Sequence, residues 1–137
     1  MDITVSFPGG KRVDACFGDH LVATDQPPDL GGDDAAPAPF DLFLASLATC
    51  AGIYVLGFCQ ARNLPTEGLA LRQHVIFDEA THLPTDVRVE ITLPAGFPER
   101  YRAAIVRAAE NCKVKKALAA PPRFEVVTTE LATLGAA

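Results

Sequence analysis

The run from Leu42 to Cys59 contains no charged residue, and in a chain of 137 residues it is the one segment apolar enough to sit at the centre of a core. It constrains the fold more than any other stretch, because a helix that is apolar all round must be covered all round. Asn63-Leu64-Pro65 stops it, since proline cannot continue a helix. One long helix from about Phe40 to Arg62 is therefore expected, roughly 35 Å long at 1.5 Å per residue. The run just reaches the length at which a membrane span is considered. Ser46, Thr49, Gly52, Tyr54 and Gly57 dilute it, Asp41 abuts it, and strand-like segments flank it, so it reads as the central helix of a soluble domain, with no membrane partner.

The flanks supply part of the cover. Ile3 to Phe7 and Val13 to Phe17 alternate at period two around the turn Pro8-Gly9-Gly10, and His20 to Thr24 continues as a third strand. Asp25 to Pro39 is dense in proline, glycine and aspartate and reads as a surface loop, a common place for functional residues. Leu69 to Phe77 and Val87 to Leu93 read as strands joined by a hairpin loop over Asp78 to Asp86. Pro98 starts a second helix through Tyr101, Ile105, Ala108, Ala109 and Cys112, which continues over Lys113 to Leu118 until Pro121-Pro122. Phe124 to Glu130 reads as a closing strand. The order gives an α+β single domain over residues 1–137, with helices packed on antiparallel sheet. One three-stranded sheet covers only one side of the central helix, so the C-terminal half and a second copy of the chain are both expected against it.

Composition narrows the function. Twelve Lys+Arg stand against 17 Asp+Glu, which leaves no basic footprint for nucleic acid. The first ten residues carry neither a basic start nor an apolar signal core, so a cytoplasmic protein is expected. Cys16, Cys50, Cys59 and Cys112 form no C-x-x-C pair and no zinc-type spacing with His20, His74 or His82, so neither a metal nor a cofactor is expected. In a reducing compartment a bridge would be transient and catalytic. Cys59 lies about 180° around the helix from Cys50 and roughly 13 Å along it, out of bridging reach. Cys59 and Cys16 are read as packing residues. Ser46, Cys50 and Tyr54 share a helix face, either lining a pocket or making an ordinary helix contact. His20 is read as a strand start with its ring in solvent.

Three stretches together resemble the OsmC/Ohr superfamily, the osmotically inducible and organic hydroperoxide resistance proteins, on its OsmC-like branch. They are Gly31-Gly32-Asp33-Asp34; Pro37-x-Pro39-x-Asp41-Leu42 leading to Ala48-Thr49-Cys50; and Cys112-Lys-Val-Lys-Lys-Ala-Leu118. The resemblance implies an intertwined homodimer in which antiparallel sheets from both subunits wrap two long central helices. It also implies a thiol-dependent peroxidase acting on organic hydroperoxides in oxidative stress defence, with Cys50 as peroxidatic cysteine, Cys112 as resolving cysteine and an external thiol as reductant.

Such a reaction needs a thiolate, and Cys50, mid-helix, gains little from its own helix dipole, which acts within the end turns. In the hydroperoxidase branch an N-terminal arginine, held by a glutamate just before the helix, supplies the charge. Here Phe40 occupies the glutamate position and the acid follows at Asp41, which is read as the helix N-cap. Arg12 is the candidate arginine. Lys113 stands where proline usually follows the second cysteine, and Lys113, Lys115 and Lys116 could favour a Cys112 thiolate or simply complement a helix end. These departures keep a second reading open: a non-enzymatic OsmC-like dimer that binds an apolar or thiol-containing small molecule, with Cys50 as packing.

Overall fold

A computed structural model describes residues 1–130 of the chain. Three strands come first, β1 (Thr4–Gly9), β2 (Arg12–Phe17) and β3 (His20–Val22), in an antiparallel sheet of order β1-β2-β3. The β1–β2 register pairs Thr4 with Cys16 and Ser6 with Asp14, then shifts so that Gly9 faces Arg12. Gly9 and Gly10 turn the chain at φ values of 138° and 59°, in the region that residues with a Cβ disfavour. The expected first two strands and their turn are thus present, and β3 is shorter than expected.

The central helix, α1, spans Pro39–Gln60. Proline at its first position suits a helix start because its missing N–H has no intrahelical partner there. Leu47, Ala51, Val55, Phe58 and Cys59 form its buried face, at the three- and four-residue spacing of one helix side. Its other side keeps Ile53 and Tyr54 exposed. By length and composition α1 could pass for a membrane span, yet within the fold it packs on α2, α3 and β4.

Strands β4 (Ala70–Phe77) and β5 (Pro84–Thr92) form a two-stranded antiparallel sheet. β5 begins at Pro84, so the hairpin loop is shorter than the expected Asp78 to Asp86. Asp78 explains this: its carboxylate accepts N–H bonds from Ala80 and Thr81 at 3.0 and 2.7 Å, an Asx turn that tightens the loop. Leu71, Ile91 and Leu93 pack against the core, while Arg72, His74, Arg88 and Glu90 stand outward and exposed. His74, for which the sequence offers no partner, lies 3.7 Å from Glu90.

The last helical stretch is two helices, α2 (Arg102–Glu110) and α3 (Lys113–Ala119), separated at Asn111 and Cys112. Ile105 and Ala109 of α2 meet Val55, Phe58, Cys59 and Phe97 in the core. Phe58 and Tyr101 pack edge to face at 5.9 Å, and the Arg62 guanidinium caps Phe58 at 3.8 Å from its ring centroid.

The expected closing strand is absent: residues 121–130 have no regular structure and are exposed. Phe124, Val126 and Val127 stay largely exposed and pair with none of the open sheet edges among the described residues. β1 shows the same incompleteness, with Ile3, Val5 and Phe7 each more than half exposed.

Candidate functional site

The loop between β3 and α1 is set by Asp25, which is 1% exposed. Its carboxylate accepts N–H bonds from Gln26 at 2.8 Å, Ala35 at 3.1 Å and Asp33 at 3.2 Å. The amides of Ala35 and Gln26, more than the nearby Arg12 charge, hold its pKa below the ordinary carboxylate range. Gly32 lies so close to Gln26 that a Cβ would overlap the Gln26 carbonyl. Sequence reasoning passed over Asp25; an aspartate at the entry of a proline- and glycine-rich loop was the available signal.

This loop delivers the chain to α1 with Ala38 as N-cap and no side-chain cap. Asp41 is therefore not the N-cap, contrary to expectation. Pro39 begins the helix two residues earlier, which puts Asp41 inside the first turn, exposed, where a negative charge still complements the helix dipole. Phe40 stacks on Phe43 at 5.4 Å and supplies no polar group.

Three turns into α1, Cys50 is half-buried, while Cys112 is completely buried. Cys112 caps the N-terminus of α3 with an extended backbone, φ −50° and ψ 127°. The interruption of the helix there matters because the first N–H groups of a helix have no intrahelical acceptor. α3 packs on α1, which brings the start of α3 and the Cys112 thiol to the Cys50 side of the helix. The Val114 amide, then the Cys112 thiol, then the Lys113 amide and ammonium charge favour the thiolate, outweigh partial burial, and lower the Cys50 pKa. Sequence reasoning missed these amides because backbone donors have no residue signature and because the break before Lys113 falls inside a continuous helical pattern.

The other expected participants are elsewhere. Arg12 is paired with the nearly buried Asp14 at 3.0 Å rather than with Cys50 of the same chain. Cys59 is fully buried, and burial, only partly offset by Arg62, raises its thiol pKa. Cys16 is exposed on β2, so it is not the packing residue expected. His20 packs its ring 5.5 Å from Phe17 at the strand start, exposed. Ser46 turns back to donate to the Phe43 carbonyl at 2.6 Å. Tyr54 does line a hollow of about 640 Å³ together with Ile53, Gly57, Phe58, Asn111 and Lys116. Cys50, Ile53, Tyr54 and Gly57 follow the i, i+3, i+4, i+7 spacing of one helix face, so the hollow lies on the same side of α1 as Cys50, which does not itself line it. Among the described residues no group of three His, Cys, Asp or Glu could hold a metal ion.

The chain is similar in fold to solved structures. One is a putative osmotic stress induced and detoxification response protein from Psychrobacter arcticus, 21% identical with a TM-score of 0.72 over 84% of this chain and 85% of that one. An OsmC like protein from Mycoplasma pneumoniae is 13% identical with a TM-score of 0.65 over 86% of each chain. An organic hydroperoxide resistance protein OsmC from Legionella pneumophila is 19% identical with a TM-score of 0.57 over 85% of this chain and 87% of that one. No curated protein sequence matches the chain. The family model described as OsmC-like protein matches residues 31–127, a span that includes the end of the β3–α1 loop, Cys50 and Cys59 of α1, Cys112 and the core. The chain belongs to the OsmC-like protein family.

Proposed function

We propose that this protein is a thiol-dependent peroxidase for organic hydroperoxides, with Cys50 as the attacking thiol and Cys112 as the resolving one. The observation that carries the reading is the packing of α3, which starts after Cys112, on α1 beside Cys50, where the α3 amides and the Cys112 thiol favour the Cys50 thiolate. A thiolate at Cys50 attacks the distal oxygen of R–O–O–H, the O–O bond breaks, and the alcohol leaves with the proton the thiol gave up. Cys50 is then a sulfenic acid. The Cys112 thiol attacks its sulfur, water departs, and a Cys50–Cys112 disulfide remains for an external thiol to reduce. The hollow beside Tyr54 would receive the apolar body of the peroxide.

A homodimer belongs to the same proposal. The exposed apolar side of α1, the uncovered Val5 and Phe7 of β1 and the unpaired Phe124 to Glu130 segment are the surfaces a second copy would bury. A soluble cytoplasmic setting, in which disulfides are reset by cellular thiols, suits a bridge that must reopen in each cycle.

The test is intact-mass and peptide analysis after cumene hydroperoxide is added to the reduced, folded protein. Loss of two thiols per chain, recovered as a Cys50–Cys112 bridged peptide, is the expected result; an unmodified Cys50 ends the proposal. The hollow also supports a second reading, in which the dimer binds an apolar molecule without reacting with it. Unchanged peroxide consumption in Cys50→Ser, together with a lipid-like molecule carried by the purified protein, would favour that reading.

A further inference from the structure

Three hollows among the described residues can be compared by the charges around them. One lies between β5 and α2, with Val87 and Ile105 in its lining and Arg102, Glu110 and Lys115 around it. Another lies on the outer face of β4 and β5, lined by His74, Asp86, Arg88 and Glu90. Both set acids beside cations, and in the second the Arg88 guanidinium is already held by Glu90 at 3.2 Å. Neither selects the charge of a ligand. The hollow beside Tyr54 is different. Ile53, Tyr54, Phe58 and Ala108 wall it, no acid lines it, and Lys116 is its one charged residue. Asn111 shares the lining, and its side-chain amide spends one N–H on the Arg107 carbonyl at 3.3 Å, which leaves the second N–H of that amide. Lys116 is exposed and, among the described residues, in no ion pair.

We propose that Lys116 sets ligand choice in this hollow, holding the ionised carboxylate of an amphiphile whose apolar body lies against Ile53, Tyr54 and Phe58. The proposal rests on the reading of the hollow as the seat of the ligand's apolar body, adds the charge at that molecule's other end, and does not need the ligand to react. A volume of about 640 Å³ is in the range of small-molecule sites, which combine an apolar lining with a few polar groups that fix orientation. One ammonium with one amide suits a head group of single charge. A phosphate monoester carries about −1.5 to −2 at neutral pH, more than this lining compensates. A neutral head group leaves the ammonium unused, and a cationic one is repelled by it. The chain's net charge of −5 disfavours anions at long range, so the attraction of a carboxylate to this hollow is local.

The test is isothermal titration calorimetry of the full-length reduced protein with decanoate and 1-decanol as probes. No peroxide is present, so the outcome is separate from whether Cys50 reacts. The wild type is expected to bind decanoate more tightly than 1-decanol. Lys116→Gln should weaken decanoate about three- to fivefold, the worth of an exposed ion pair, and leave 1-decanol unchanged. Lys116→Arg should keep the wild-type preference. Lys115→Gln makes the same charge change one residue away, at the β5-side hollow, and should leave decanoate affinity unchanged. The proposal is overturned if Lys116→Gln binds decanoate as the wild type does, or if it weakens both probes alike, which would mark a packing effect. It is equally overturned if Lys115→Gln weakens decanoate as much as Lys116→Gln, or if decanoate shows no saturable binding, as when a second copy of the chain fills the hollow. An unmodified Cys50 after cumene hydroperoxide, with the Lys116 preference intact, would instead remove the peroxidase reading and keep the carboxylate site.

Discussion

Cys50 and Cys59 lie on one helix, nine residues apart, and the tertiary structure gives them opposite chemistry. Cys59 is enclosed by α2 and the β4–β5 side of the core, where burial favours the neutral thiol. Cys50 is half-buried and meets the amides of Val114 and Lys113, which favour the thiolate. The helix itself contributes little to either, being uncharged over both positions. What differs is what packs on each: an apolar cluster on one, and the start of a second helix on the other. An unpaired cysteine in an apolar segment is therefore neither filler nor nucleophile by virtue of its own neighbours in sequence.

The strongest way to break the contrast is to remove each sulfur in turn. Cys50→Ser is expected to lower cumene hydroperoxide consumption on the order of a thousandfold, because a hydroxyl does not ionise in this range as a thiol does. Cys59→Ala should leave the rate unchanged and lower only the denaturant midpoint. Similar losses of turnover in the two variants would mean that the thiols are not functionally distinct.

A smaller effect separates the two sides of α1. Ile105→Ala, beneath the Cys59 end, opens a cavity in a site that is 1% exposed and is expected to cost roughly 2–5 kcal/mol in urea unfolding. Ile53→Ala, on the side that carries the hollow, changes a residue that is 59% exposed in the single chain and should cost about 0.5 kcal/mol or less in a monomer. A larger, concentration-dependent loss in Ile53→Ala would show that a second copy covers this side.

The smallest effect is in pH dependence. Cys59 has a raised pKa in the folded state, so its neutral thiol contributes stability that is present below the unfolded thiol pKa and lost as pH rises through the folded value. Cys50 has a lowered one, so its contribution is present above the unfolded thiol pKa and lost as pH falls through the folded value. Melting curves from about pH 7 to about pH 10 should therefore show Cys59→Ala losing less stability than the wild type on the alkaline side, with Cys50→Ser losing more. The reverse order would contradict the two environments described.

Much of the framework is legible in the chain. The uncharged run Leu42 to Cys59 specifies a long central helix, and the period-two stretches around Pro8-Gly9-Gly10 and on either side of Asp78 specify hairpins, because local pattern and turn residues agree there. Where they disagree with the structure, a nonlocal partner is involved. Phe124 to Glu130 has a strand-like pattern, yet a strand also needs a partner, and among the described residues this segment pairs with none. Asp41 has the chemistry of an N-cap, but Pro39 starts the helix earlier. Cys16 has the chemistry of a packing residue, yet it stays exposed on β2 although Asp14 of the same strand is buried.

The sequence by itself determined the central helix, the α+β order of elements and the two cysteine motifs of the OsmC-like family, since these depend on periodicity and on residue identity. Only the tertiary structure decided which cysteine could be a thiolate. The lowered pKa of Cys50 rests first on a backbone N–H at the start of α3, which packs on α1, and a backbone donor is the same in every non-proline residue until the fold places it.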